Sequence, residues 1–189
     1  GGTSVVYDGY DRHLLRDVAI KVVRSEISAG SSLPKFIRRE AYSAGKIHDP
    51  HIITLHDVGQ WQGLHYIVME RLEGRSLAST LQQKRQLPVK DALEIAIQVA
   101  KGLDTVHKAG IVHRDLKPDN IFLEQRGASR FCKLLDFSVA KVPAGEGGPI
   151  TETGQVLGTP VYMAPEQAMG ETVTSLCDIY ALGVMTFEM

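Results

Sequence analysis

Short β-branched runs dominate the first third of the chain, and a helical rhythm replaces them further on. Val5-Val6-Tyr7 and Val18-Ala19-Ile20-Lys21-Val22-Val23 read as strands separated by the polar turn Asp8–Arg16. In Leu33–Ile47, Phe36, Ile37, Ala41, Ala44 and Ile47 recur at helical spacing. Two further strands, Ile52–Val58 and His65–Met69, follow, joined by a turn with Gly59 and Gly63. Leu87-Pro88 opens a helix at its first turn, where proline is tolerated. Its apolar stripe is Ala92, Ile95, Ala96, Val99, Leu103 and Val106, and Gly110 closes it as a C′ residue. Short strands are predicted at Ile121–Leu123 and Lys133–Leu135, and a helix at Ser175–Met189. Pro143–Gly154, with proline, four glycines and no apolar rhythm, reads as a loop.

Composition narrows the classes. The 189 residues are 43% hydrophobic and 23% charged, which fits an ordinary globular protein and excludes disorder and coiled coil. A formal net charge of -1 gives no electrostatic case for nucleic acid or an anionic membrane. No apolar run reaches the roughly 18 residues a membrane span needs. The two cysteines, Cys132 and Cys177, are far apart and read as buried apolar thiols in a reducing cytoplasm. The first residue is Gly1, and the final helix has no stop signal, so the chain is expected to be a fragment truncated at both ends.

Candidate chemistry concentrates in His113-Arg114-Asp115-Leu116-Lys117-Pro118-Asp119-Asn120. Phosphoryl transfer needs a carboxylate to orient and deprotonate the attacking hydroxyl, oxygen ligands for Mg²⁺, and a cation facing the phosphate oxygens. A polar loop behind an apolar helix supplies all three: Asp115 as base, Asn120 as metal ligand and Lys117 as γ-phosphate partner.

This segment resembles the catalytic loop, H-R-D-L-x-x-x-N, of the eukaryotic-type (Hanks-type) protein kinase family. Other motifs follow in order. Val18-Ala19-Ile20-Lys21 is similar to the third-strand lysine motif, and Glu40 matches the glutamate paired with that lysine. Asp136-Phe137-Ser138 stands where the family has D-F-G, Gly158-Thr159-Pro160 precedes Ala164-Pro165-Glu166, and Asp178 matches the aspartate that buttresses the catalytic loop. The resemblance implies an α+β, two-lobed kinase-like fold, with a β-rich N-lobe carrying one helix (1–72, including the hinge near Arg71–Gly74) and a helical C-lobe (73–189). It implies ATP and Mg²⁺ as cofactors. Lys21 would hold the α- and β-phosphates, and Asn120 and Asp136 the metal. Gly1 and Gly2 match the later part of the Gly-rich loop, with Thr3 and Ser4 supplying amides. Met69 would be the gatekeeper, Glu70 and Leu72 would bind adenine through hinge backbone, Val6 and Ala19 would cover the ring, and Phe122 would support it. These side chains are expected to meet around one pocket between the lobes.

Lys117 and Gly-Thr-Pro resemble the serine/threonine branch, and Tyr162-Met163-Ala164-Pro165-Glu166 its bacterial members. Arg114 implies control by phosphorylation at Thr151 or Thr153, whose phosphate would pair with it. Thr159 matches the threonine bonded to the catalytic aspartate. The partner implied is a protein substrate, with self-association for autophosphorylation, in a cytoplasmic setting.

Three departures stand out. Ser4 takes the last glycine position of the Gly-rich loop; Ser138 replaces the D-F-G glycine and resists the peptide flips that glycine permits; and the helices after Asp178 are missing, leaving Glu166 without its usual arginine. The alternative is a pseudokinase that binds nucleotide without turnover, which Ser138 and Ser4 favour and the intact Lys21, Glu40, Asp115, Lys117, Asn120 and Asp136 oppose. A small-molecule kinase is disfavoured by the A-P-E and Gly-Thr-Pro elements. His48, His51, His56, Asp49 and Asp57 suit no common zinc spacing.

Overall fold

The computed structural model describes residues 4–23, 45, 47–126, 129–136 and 160–189. They divide into two compact units, one within Gly1–His48 and Ile53–Glu73, the other within Asp49–Ile52 and Gly74–Met189. The secondary structure is α+β. The helix predicted over Leu33–Ile47 falls almost wholly outside the described residues.

The first unit holds an antiparallel sheet of β1 (Ser4–Asp11), β2 (Arg16–Val23), β3 (Leu55–Trp61) and β4 (Leu64–Glu70), in the order β1-β2-β4-β3. The polar stretch Asp8–Arg16 is only partly a turn. Asp8 through Asp11 stay paired with Arg16 through Ala19, because β1 is an edge strand whose polar side chains can face water while its backbone pairs inward. The reversal itself occupies residues 12–15, held by Asp11 Oδ1, which accepts the N–H groups of His13 (3.0 Å) and Leu14 (3.1 Å). The β3–β4 turn is likewise shorter than expected. Gln62 (φ 48°) and Gly63 (φ 80°) make it, with the positive φ pair of a type I′ hairpin, while Gly59 lies inside β3.

The second unit contains a three-stranded antiparallel sheet, β5 (Gly74–Ser76), β6 (Ile121–Arg126) and β7 (Ser129–Leu134). Its helices are α1 (Leu77–Lys84), α2 (Val89–Lys108), α3 (Pro165–Ala168) and α4 (Leu176–Glu188). Ser76 caps α1, its Oγ accepting the Ser79 N–H at 3.1 Å. Pro88 occupies the N-cap of α2, one position before the first turn. At the other end Gly110 (φ 73°) donates its N–H to His107 O and Ile111 donates to Val106 O, the paired bonds of a Schellman cap. Ile95, Val99, Leu103 and Val106 are buried on one face of α2, each contributing about 1.5–3 kcal/mol of apolar burial. α4 buries Cys177, Asp178, Ala181 and Met185 at helical spacing.

A short segment from the loop before β3 belongs to this second unit. Asp49 Oδ2 accepts the Thr105 hydroxyl (2.7 Å), His51 Nδ1 lies 3.1 Å from Cys132 O, and the Leu134 N–H donates to His51 O (2.8 Å). Asp49 Oδ1 also accepts the His51 N–H at 2.7 Å. These histidine and aspartate groups are thus engaged in tying the segment to α2 and β7. Gly102 makes the close approach possible, since a Cβ there would stand 2.6 Å from Leu134 Cδ1 and 3.1 Å from His51 O.

Gly74 opens β5 at φ 150°, and a Cβ on it would come within 2.1 Å of Leu123 O. Gly74→Ala is therefore expected to destabilise the protein by about 2–4 kcal/mol, through backbone strain plus collision. Gly63→Ala, at φ 80° with nothing within 4 Å, separates the two effects and is expected to cost only about 1 kcal/mol. Urea midpoints of both variants check this; equal losses would show that the collision is relieved by a small shift.

Candidate active site

The loop between α2 and β6 is organised by one buried carboxylate. Asp178, 1% exposed at the start of α4, accepts the His113 N–H on Oδ2 (2.8 Å) and the Arg114 N–H on Oδ1 (2.8 Å). His107 Nε2, near the end of α2, lies 2.8 Å from the same Oδ2. Two adjacent amides can reach one carboxylate only if the backbone between them turns sharply, and Arg114 has φ 64°. For a non-glycine residue that is strained, and the paired hydrogen bonds offset the strain.

Asp115 follows directly. Lys117 Nζ lies 3.2 Å from its Oδ2, with both side chains mostly shielded from solvent. The Asn120 Nδ2 donates to Asp115 O (2.7 Å) and to Asp115 Oδ2 (3.3 Å). Pro118–Asn120 form a 3-10 turn, and the proline's missing N–H is harmless there. The structure thus brings Asp115, Lys117 and Asn120 into one hydrogen-bonded group.

β7 delivers Asp136 to the same unit. The Leu135 N–H donates to Asn120 O at 2.8 Å, and Leu135 O accepts from His113 Nε2 at 2.8 Å. Asp136 itself is exposed and holds φ 51°, the second left-handed non-glycine residue in this region. His113 is fully buried, and burial pushes its pKa below the ordinary 6.5 against the opposing pull of Asp178, Leu135 O, Asp115 and Asp136. As a neutral ring it donates through Nε2, leaving Nδ1 to face the Asp115 N–H at 3.4 Å. Phe122 lies on β6 between buried Ile121 and Leu123, so its ring is on the opposite face of the strand.

The remaining residues singled out in the sequence lie in the first unit. Lys21 pairs with Val6 across β1–β2 and with Ile67 across β2–β4, while Ala19 stands opposite Met69. Glu70 ends β4; its Oε1 accepts the Thr54 N–H (2.7 Å) and its own N–H donates to Thr54 O (3.0 Å). Val6 is 58% exposed and Leu72 half-buried. Gly1, Gly2, Glu40, Phe137, Ser138, Thr151, Thr153 and Thr159 lie outside the described residues.

A hollow beside Asp115 is lined by Lys117, Tyr162, Met163 and Gln167. The Tyr162 hydroxyl donates to the Glu188 carboxylate, and burial together with that bond raises its pKa. Both cysteines are buried, with thiols pushed up to about 12 by burial. Gln167 and His107 escaped notice in the sequence. For Gln167 the available signal was its place three residues after Ala164, where a glutamine can reach back to the helix N-cap.

Matching runs the length of the chain: residues 1–189 fit the family described as protein kinase domain. The probable serine/threonine-protein kinase PknA2 of Bifidobacterium longum is 37% identical over 192 residues, which cover all of this chain and 25% of that protein. PknA of Mycobacterium tuberculosis, a serine/threonine-protein kinase, is 38% identical over 193 residues, again all of this chain and 44% of that protein. Among solved structures, Rad53 residues 1–466 in complex with AMP-PNP superposes with a TM-score of 0.77 at 25% identity, covering 99% of this chain and 44% of that one. The chain belongs to the protein kinase family. It spans a quarter to under a half of the length of these two curated relatives.

Removing the central carboxylate should be costly. Asp178→Ala leaves two inward-facing amides and His107 without their acceptor, and is expected to cost about 3–5 kcal/mol, read from urea unfolding. A loss below about 1 kcal/mol would show that water or a neighbour replaces it.

His113 makes stability depend on pH. The unfolded histidine takes up a proton near pH 6.5, while the buried one resists it. Its contribution is therefore complete above about pH 6.5 and is lost as pH falls below that, with a slope of up to about 1.4 kcal/mol per pH unit. Unfolding midpoints measured across this range should show the slope, and His113→Gln should flatten it.

Proposed function

We propose that this chain is the catalytic domain of a serine/threonine protein kinase, moving the γ-phosphoryl of ATP onto a protein hydroxyl. The observation that carries this reading is the group formed by Asp115, Lys117 and Asn120, held on a strained loop by Asp178. The serine/threonine kinases among its relatives, and the AMP-PNP in the Rad53 structure, support the substrate class and the nucleotide.

In this reading Asp115 orients the attacking hydroxyl and accepts its proton. Lys117, beside it, neutralises charge on the phosphoryl oxygens as they pass through a loose transition state. The donor set also fits magnesium. Asn120 spends its amide nitrogen on Asp115, so its oxygen is the atom left for a metal, and Asp136 adds a carboxylate. Two oxygen ligands completed by phosphate oxygens and water suit that ion. Magnesium, when bound, would draw charge from the β- and γ-phosphates. Lys21 serves the α- and β-phosphates, with Glu40 as its partner. By motif order, Val6, Ala19, Met69, Glu70, Leu72 and Phe122 are the residues assigned to the adenine, and Gly1 and Gly2 those assigned to the phosphates. The domains behind these roles are residues 1–72 and 73–189. Phosphorylation at Thr151 or Thr153 controls turnover through Arg114, whose Nε is buried without a hydrogen-bond partner among the described residues. Two copies of the chain associate for that phosphorylation. Ser138 leaves metal binding to Asp136 intact and slows conversion between active and inactive loop states.

The test is incubation with γ-labelled ATP and Mg²⁺. Label should appear on serine or threonine, and Asp115→Asn should reduce transfer by about 10³-fold or more while leaving nucleotide affinity intact. Magnesium-dependent nucleotide binding with no transfer in the unaltered protein would instead support a pseudokinase.

A further inference from the structure

The peptide that precedes Asp115 is held from a second side. Gln167 Nε2, at the third position of α3, donates to Arg114 O at 3.0 Å. Its Oε1 accepts the Ala164 N–H at 3.2 Å, the half of a capping box that an alanine N-cap allows. The two partners fix the amide's orientation, because an N–H must meet oxygen and a carbonyl must meet nitrogen. Arg114 therefore has its N–H on Asp178 and its C=O on Gln167. Its φ of 64° is a conformation that persists only when surroundings impose it. The carbonyl is also part of the peptide plane that carries the Asp115 N–H, which makes a long 3.4 Å approach to His113 Nδ1. Rotation of that plane would swing the Asp115 carboxylate away from Lys117 and Asn120.

We propose that Gln167 is a positioning residue for phosphoryl transfer: its side-chain amide latches the Arg114–Asp115 peptide to the N-terminus of α3, so that the carboxylate of Asp115 is held ready only while the 160–168 segment is in place. The proposal rests on the kinase reading above. The latch acts on the base and not on nucleotide, since the side-chain hydrogen bonds of Gln167 among the described residues go to Arg114 O and the Ala164 N–H.

A single-atom change separates latch from cap. Gln167→Glu keeps an oxygen for the Ala164 N–H but turns a second oxygen toward Arg114 O. Gln167→Leu removes both bonds, and guards against a new pairing of the glutamate with the Arg114 guanidinium. Steady-state transfer to a serine/threonine peptide is measured for both, together with amide hydrogen exchange over residues 113–116. Both variants should lower kcat about tenfold, the scale of one hydrogen bond, with KM for ATP unchanged and faster exchange over 113–116. Wild-type kcat in Gln167→Glu beside a loss in Gln167→Leu would overturn the latch and leave only a cap. Wild-type kcat in both would overturn it outright. Should the unaltered protein transfer no phosphate, the kinase reading fails on its own, and unchanged exchange over 113–116 would still sink the latch independently.

Discussion

A carboxylate with almost no exposure to water organises the second unit. Taking the charge of Asp178 out of solvent is unfavourable unless strong donors replace the lost hydration. Here the amides of His113 and Arg114 and the ring of His107 do so, each at 2.8 Å. The donors come from the end of α2 and from the loop after it, while the acceptor sits on α4. One residue therefore joins two helices and a loop. The left-handed turn at Arg114 is its direct consequence, and through that turn the direction in which Asp115 leaves the backbone.

The rest of the loop follows the same logic of backbone groups held at fixed angles. Asn120 clamps the Asp115 carbonyl, its own carbonyl receives the Leu135 amide, and His113 closes the circuit by donating to Leu135 O. A protonated His113 would have to keep a second N–H toward the Asp115 amide, which offers no acceptor, so burial and hydrogen bonding both select the neutral ring. Asp136, two residues past β7, inherits its place from this circuit. Its own positive φ, like that of Arg114, falls beside the polar group where the chemistry is proposed to occur.

How much of this can be read from residues alone depends on sequence distance. The 113–120 loop is contiguous and its polar order is distinctive, so its side chains stood out at once. Asp178 stood out too, through its register with the other motifs. The apolar stripe of α2 predicted its buried face, although Gly102 takes a place in that face where the close approach of β7 and His51 leaves no room for a side chain. What stayed hidden was long-range and polar. Asp49 and His51 read as an unassigned cluster because their partners, Thr105 and Cys132, lie 56 and 81 residues away. The strand ends at Asp8–Asp11 were obscured because an edge strand can carry polar residues that mimic a turn. Glu40 and the glycines at the start of the chain lie where the structure describes nothing, and their proposed roles rest on motif order alone.

Polar side chains in this loop are mostly used as rulers for the backbone, and this sets which changes the site can tolerate. Asp178, Asn120, His113 and Gln167 each bond a main-chain N–H or C=O, and those groups are present whatever side chain is attached. Their bonds therefore survive substitution of the neighbours but fail on their own replacement. Lys117 is different. It reaches Asp115 by a single ion pair at the end of a flexible four-carbon stem, so its attachment is the softest in the group. In the proposed reaction, a lysine that follows a moving phosphoryl group gains from that freedom, whereas a base that must meet a hydroxyl at one angle does not. A carboxylate held by the backbone beside an ammonium on a flexible stem is the division that the proposed phosphoryl transfer would ask of a loop whose covalent work is slight.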